Sequence, residues 1–124
     1  MTNETLLCIL GALFTKHFFC DFPLQGPYHY LNKGTYGHPG GIQHAAIHSL
    51  GTFIALCLFV NDPWVLAGLC WLDLFVHYHI DWAKIKINKR YGWTATTSEY
   101  FWWLLGADQL LHALTYLFMA WILI

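Results

Sequence analysis

LDLFVHYHIDWA, Leu72 to Ala83, sets Asp73, His77 and Asp81 four residues apart in an otherwise apolar run. In a helix a four-residue step turns only about 40° around the axis, so the three side chains stack along one face. His79, two residues from both His77 and Asp81, falls on the opposite face. The same step recurs in every other apolar segment: His17 and Asp21, His44 and His48, Asp108 and His112. The spacing predicts helices that bring these pairs together as one polar cluster, and that cluster is the candidate functional site.

Composition sets the expected class. The 124 residues are 57% hydrophobic and 10% charged, with seven Trp, seven Tyr and nine Phe. A soluble domain ordinarily carries about 25% charged residues to cover its surface, so the shortfall points to lipid. The formal net charge of -1 comes without a basic stripe, which excludes a phosphate-tracking nucleic-acid binder. Cys8, Cys20, Cys57 and Cys70 have no CxxC pairing and read as small packing residues, with Cys20 bordering the site.

The expected fold is all-α: a polytopic membrane protein built as a four-transmembrane-helix bundle in a single domain, 1–124, with helices at about 5–22, 44–60, 64–85 and 97–124. Glu4 in place of a basic leader argues that the first segment is a mature helix and not a signal peptide, and Pro23 should end it. Pro23 to Gly41, about 19 residues rich in Pro, Gly and Tyr, reads as a shaped loop or an interfacial segment. His29 and His38 in it are expected at its surface. Asn61, Asp62 and Pro63 mark a tight turn, and Thr96 with Glu99 has capping-box spacing. Lys33 and the cluster of Lys84, Lys86, Lys89 and Arg90 place the first and third loops in the cytoplasm, and the Asn61 to Pro63 turn and both termini outside, in the inner (plasma) membrane. Lys16 would snorkel to the cytoplasmic face. In that topology the polar pairs all fall in the cytoplasmic half.

Buried ionisable groups must satisfy one another or bind something. Five imidazoles and three carboxylates at a four-residue step are the donors that a transition-metal site in a helical bundle requires. The expected ligands are His17, Asp21, His44, His48, His77, Asp81, Asp108 and His112, with Gln25 and Asp73 orienting them. Zinc is the expected ion, and a two-iron centre is the other option. A zinc-bound water with a pKa near ~7 would make the chain a metal-dependent hydrolase, Asp81 or Asp108 serving as catalytic base, with a lipid or other membrane-associated substrate.

HFFCDFPLQ from His17 to Gln25, HxxxH at His44 and His48, HYHID ending at Asp81 and DQLLH from Asp108 to His112 together resemble the domain of unknown function 3307 family of small bacterial and phage membrane proteins. The resemblance covers all four apolar segments. It implies a four-helix membrane protein with these polar positions, and it implies no activity. Two other classes stand beside the hydrolase. One is an oligomeric proton, ion or small-solute transporter, a homo-oligomer whose close helix contacts would use Gly11, Gly51, Gly68 and Gly106. The other is an interaction protein in which the polar layer is structural.

Overall fold

A computed structural model describes residues 1–124. The chain forms five helices: α1 (Asn3–Asp21), α2 (Pro27–Asn32), α3 (Pro39–Leu56), α4 (Pro63–Tyr91) and α5 (Glu99–Ile122). α1, α3, α4 and α5 pack in that order around a common axis, with α5 closing back on α1, while the short α2 rests on α3.

The expected four-transmembrane-helix bundle is overturned, because no helix is long and apolar enough to cross a membrane. The membrane-spanning fold, the bilayer location with its leaflet assignment, and the integral-membrane function go with it. The physical reason lies in the polar steps themselves. α4 has length to spare at 29 residues, yet it carries Asp73, Asp81, Lys84, Lys86, Lys89 and Arg90; α1 carries Glu4, Lys16 and Asp21. The residues that mark the site dilute the apolarity of each helix that bears them.

Local chemistry sets the helix ends. The Thr2 side chain caps α1, and Asp62 accepts from the backbone N–H groups of Trp64 and Val65 ahead of Pro63 at the start of α4. α4 runs past Ile85 to Tyr91 and stops at Gly92, whose φ of 66° is the left-handed cap that favours glycine. The long segment after Pro23 is not a plain loop: it contains α2, and α3 begins at Pro39 under a cap from His38, well before His44. Ser98, not Thr96, caps α5. A side chain at Gly41 would meet the Lys33 Cα at 3.1 Å, so this glycine lets the α2–α3 connection lie against α3 and deliver Lys33 inward.

The interior divides into two halves. Ile9, Leu13, Leu56, Val60, Leu66, Leu69, Tyr116 and Met119 form an apolar cluster from the N-terminal half of α1, the end of α3, the start of α4 and the end of α5. The opposite half holds Asp21, His44, His48, His77, Asp81, Asp108 and His112, all buried. Much of the large apolar content lies outside, including Leu58, Trp64, Trp71 and Trp121.

Candidate metal centre

Each helix of the ring contributes one turn to the polar half. The C-terminal turn of α1 gives His17 and Asp21, the N-terminal half of α3 gives His44 and His48, the later part of α4 gives His77 and Asp81, and α5 gives Asp108 and His112. Opposed chain directions align these turns at one level, and the i, i+4 spacing turns both members of each pair inward.

Asp21 is the hub. Its Oδ1 lies 2.9 Å from His48 Nε2, 3.1 Å from His44 Nε2 and 3.6 Å from His77 Nε2. Its Oδ2 takes His17 Nε2 at 3.0 Å. His44 and His77 bring their Nε2 atoms to 3.3 Å of each other. Burial alone would raise the Asp21 carboxyl, but hydrogen bonds from His17, His44 and His48 hold it well below the usual carboxylate range.

Asp81 joins this group to the next. Its Oδ2 lies 3.2 Å from His44 Nε2 and 3.4 Å from His77 Nε2, while its Oδ1 faces His112 Nε2 at 3.4 Å. Asp108 Oδ1 stands 3.5 Å from the same His112 nitrogen. None of Asp81 Oδ1, Asp108 Oδ1 and His112 Nε2 makes a hydrogen bond, although all three are buried. Burial favours neutral His112, yet the Asp108 and Asp81 carboxylates beside it raise it to about 9. His77 goes the other way, pushed down by burial to about 4 despite Asp81 beside it. His48 is also lowered by burial, whereas hydrogen bonds to Asp21 and Asp81 outweigh burial at His44 and raise it.

Two donor sets are compact enough to hold a metal ion: Asp21, His44, His48 and His77, and His77, Asp81 and His112. Asp108 borders the second through His112. Of the eight expected ligands, Asp108 and His17 lie outside both sets, and His17 stands furthest from a ligand's role. Tyr116 Oη lies 2.8 Å from its Nδ1, and its Nε2 is shared between Asp21 and Gln109 Oε1 at 3.2 Å, so both ring nitrogens are engaged in orienting Asp21.

Three lysines belong to the cluster and were read from the sequence as loop or interfacial charges. Lys16 is buried on Asp73 at 2.6 Å instead of snorkelling, Lys33 reaches Asp81 Oδ2 at 2.9 Å, and Lys84 reaches Asp108 Oδ2 at 2.9 Å. Their signal was present in part: Lys16 sits inside the first apolar run beside His17, and Lys84 lies three residues after Asp81. Lys33 gave none, because its role depends on a long-range fold-back. Gln25 accepts from Lys33 at 2.6 Å and so orients Asp81 through that lysine. Asp73 binds Lys16 and Thr52, away from the imidazoles that it was expected to orient. His79 turns outward to Tyr36, as its two-residue offset predicts.

The arrangement can hold a divalent ion and fits one on its own chemistry. Imidazole nitrogens and carboxylate oxygens converge in a space from which water is excluded, and some donors there lack any partner that a bundle of protein atoms could give. No curated protein and no solved structure matches the chain. The family model described as "Protein of unknown function (DUF3307)" matches residues 9–124, which take in all of these donors, and the chain belongs to that family.

Proposed function

We propose that this is a metal-binding protein whose ion, zinc first and iron second, is held by Asp21, His44, His48 and His77. The observation that carries the reading is the convergence of three imidazole Nε2 atoms on the single oxygen Asp21 Oδ1, within 2.9 to 3.6 Å. Three nitrogens and one oxygen suit a tetrahedral zinc ion. His77, held neutral by burial at physiological pH, offers its lone pair without a proton to displace. These four donors surround the ion with protein, so it is held rather than exposed, and it ties α1, α3 and α4 together.

One contact must yield. Lys16 Nζ approaches His48 Nδ1 at 3.3 Å, and an ion on Nε2 would place the ring proton on that nitrogen, facing the ammonium. Lys16 keeps Asp73 and the His48 carbonyl as partners, so the shift that relieves this contact is small. Elemental analysis of the purified protein beside a His44→Ala/His48→Ala variant tests the proposal. The parent should carry at least one equivalent of zinc or iron and the variant at least tenfold less. Equal metal in both, or none in the parent, overturns it.

A further inference from the structure

The donors that this ion leaves unused form a second set. We infer that the centre is dinuclear, with a second divalent ion bound by Asp81 Oδ1, Asp108 Oδ1 and His112 Nε2, and with the Asp81 carboxylate bridging the two ions. The inference rests on the metal-binding reading above and adds a second site to it.

Three observations carry it. First, these three atoms are among six buried side-chain atoms that the fold leaves without hydrogen bonds, and they lie on residues each only 2% exposed. His112 Nε2 stands 3.4 Å from Asp81 Oδ1 and 3.5 Å from Asp108 Oδ1, outside good hydrogen-bond geometry. Second, the lysines hydrogen-bond only the other oxygens, although Lys84 Nζ also stands 3.8 Å from Asp81 Oδ1. Lys33 binds Asp81 Oδ2 and Lys84 binds Asp108 Oδ2, which fixes each carboxylate while its Oδ1 has no hydrogen bond. Third, Asp81 spans both sets, with Oδ2 beside His44 and His77 and Oδ1 beside His112, as a carboxylate bridging ions about 3.5–4 Å apart must.

Charge then names a further ligand. In this cluster the four carboxylates of Asp21, Asp73, Asp81 and Asp108 face the three ammonium groups of Lys16, Lys33 and Lys84. Two divalent ions with neutral imidazoles leave three positive charges in excess, and a buried excess of that size requires anions. The second ion has three protein donors instead of four, which leaves room for hydroxide or for a phosphate or carboxylate oxygen. A cleft of about 300 Å³ between α4 and α5 reaches Lys84 and Asp108 between the apolar walls of Ile80, Ile87, Leu104 and Leu111. The larger cleft between α3 and α4, about 470 Å³ and lined by Leu50, Phe53, Leu66 and Trp71, touches none of the donors. Access for an oxyanion is therefore at the second ion.

Titration of the chelated protein with manganese(II), followed by equilibrium dialysis and electron paramagnetic resonance, tests this. Two equivalents with an exchange-coupled signal are expected. The near-isosteric Asp108→Asn and the His112→Ala variants should each retain one equivalent, lose the coupling and keep the parent's far-UV circular dichroism. Inorganic phosphate should tighten the second equivalent in the parent by about tenfold or more and leave the variants' single equivalent unchanged. One uncoupled equivalent in the parent overturns the second site while leaving the first reading intact; none at all overturns the first reading. Two equivalents that persist in Asp108→Asn and His112→Ala place the second ion elsewhere and also overturn this inference.

Discussion

The two halves of the bundle interior solve the same packing problem with opposite chemistry. One end is closed by Ile9, Leu13, Leu56, Leu69 and Met119, all but removed from solvent. The other is equally buried but is filled with imidazoles, carboxylates and ammonium groups. Apolar contacts are non-directional and stabilise in proportion to the area removed from water. Buried ionic groups cost several kcal/mol each to desolvate, roughly, and recover it only with near-complete pairing. Here pairing stops short of complete at Asp81, Asp108 and His112. The apolar end therefore holds the fold, and the polar end is retained at a cost, as expected of a site that binds something.

The largest effect expected from testing this contrast comes from unpairing a charge. Asp73→Ala leaves the Lys16 ammonium buried without its 2.6 Å partner and should destabilise the protein by about 3–5 kcal/mol, read from urea unfolding. A loss under about 1 kcal/mol would mean that Lys16 reaches water and that the polar half is not sealed. In the apolar half, Leu13→Ala removes a fully buried side chain and should cost about 2–5 kcal/mol. Its metal content, referred to folded protein, should match the parent's. Metal loss on this substitution would show that the two halves are coupled.

The smallest effect is that of pH on the metal-free protein, and its sign differs on either side of about pH 6.5, the ordinary histidine value. His112 is raised to about 9 in the folded protein, so its contribution is complete below about pH 6.5 and is lost as pH rises toward 9. His77 is lowered to about 4, so its contribution is complete above about 6.5 and is lost as pH falls toward 4. Chelated protein should be most stable near pH 6.5, each group contributing at most about 1.4 kcal/mol per pH unit, with His48 adding to the acid arm and His44 to the alkaline arm. With metal bound, an ion replaces the His112 proton and the alkaline arm should flatten. An alkaline arm that is the same with and without metal would remove His112 from the ligands.

Several of these features could be read in the chain without coordinates. The i, i+4 steps of His17 with Asp21, His44 with His48, His77 with Asp81 and Asp108 with His112 gave the inward face of each helix, because helical periodicity alone determines which residues share a face. The outward turn of His79 followed from the same geometry. Composition misled where it was read as evidence of lipid. A bundle of this size that fills half of its interior with polar groups has fewer inward positions for Leu, Phe and Trp, and these residues take the exterior while the helices stay too polar to cross a membrane.

What the sequence determined by itself was thus local: the all-α character, the turn at Asn61 to Pro63, and the inward face of each helix with its His and Asp residues. Tertiary structure decided what contact across the bundle decides. It withdrew His17 to a supporting place beside Tyr116 and Gln109, brought Lys33 from the α2–α3 connection onto Asp81, and left Asp81 Oδ1, Asp108 Oδ1 and His112 Nε2 buried without hydrogen bonds. The reason is range: a helix fixes neighbours within a turn or two along one chain segment, whereas the oxygen of an aspartate that stays free depends on which side chains arrive from the other segments.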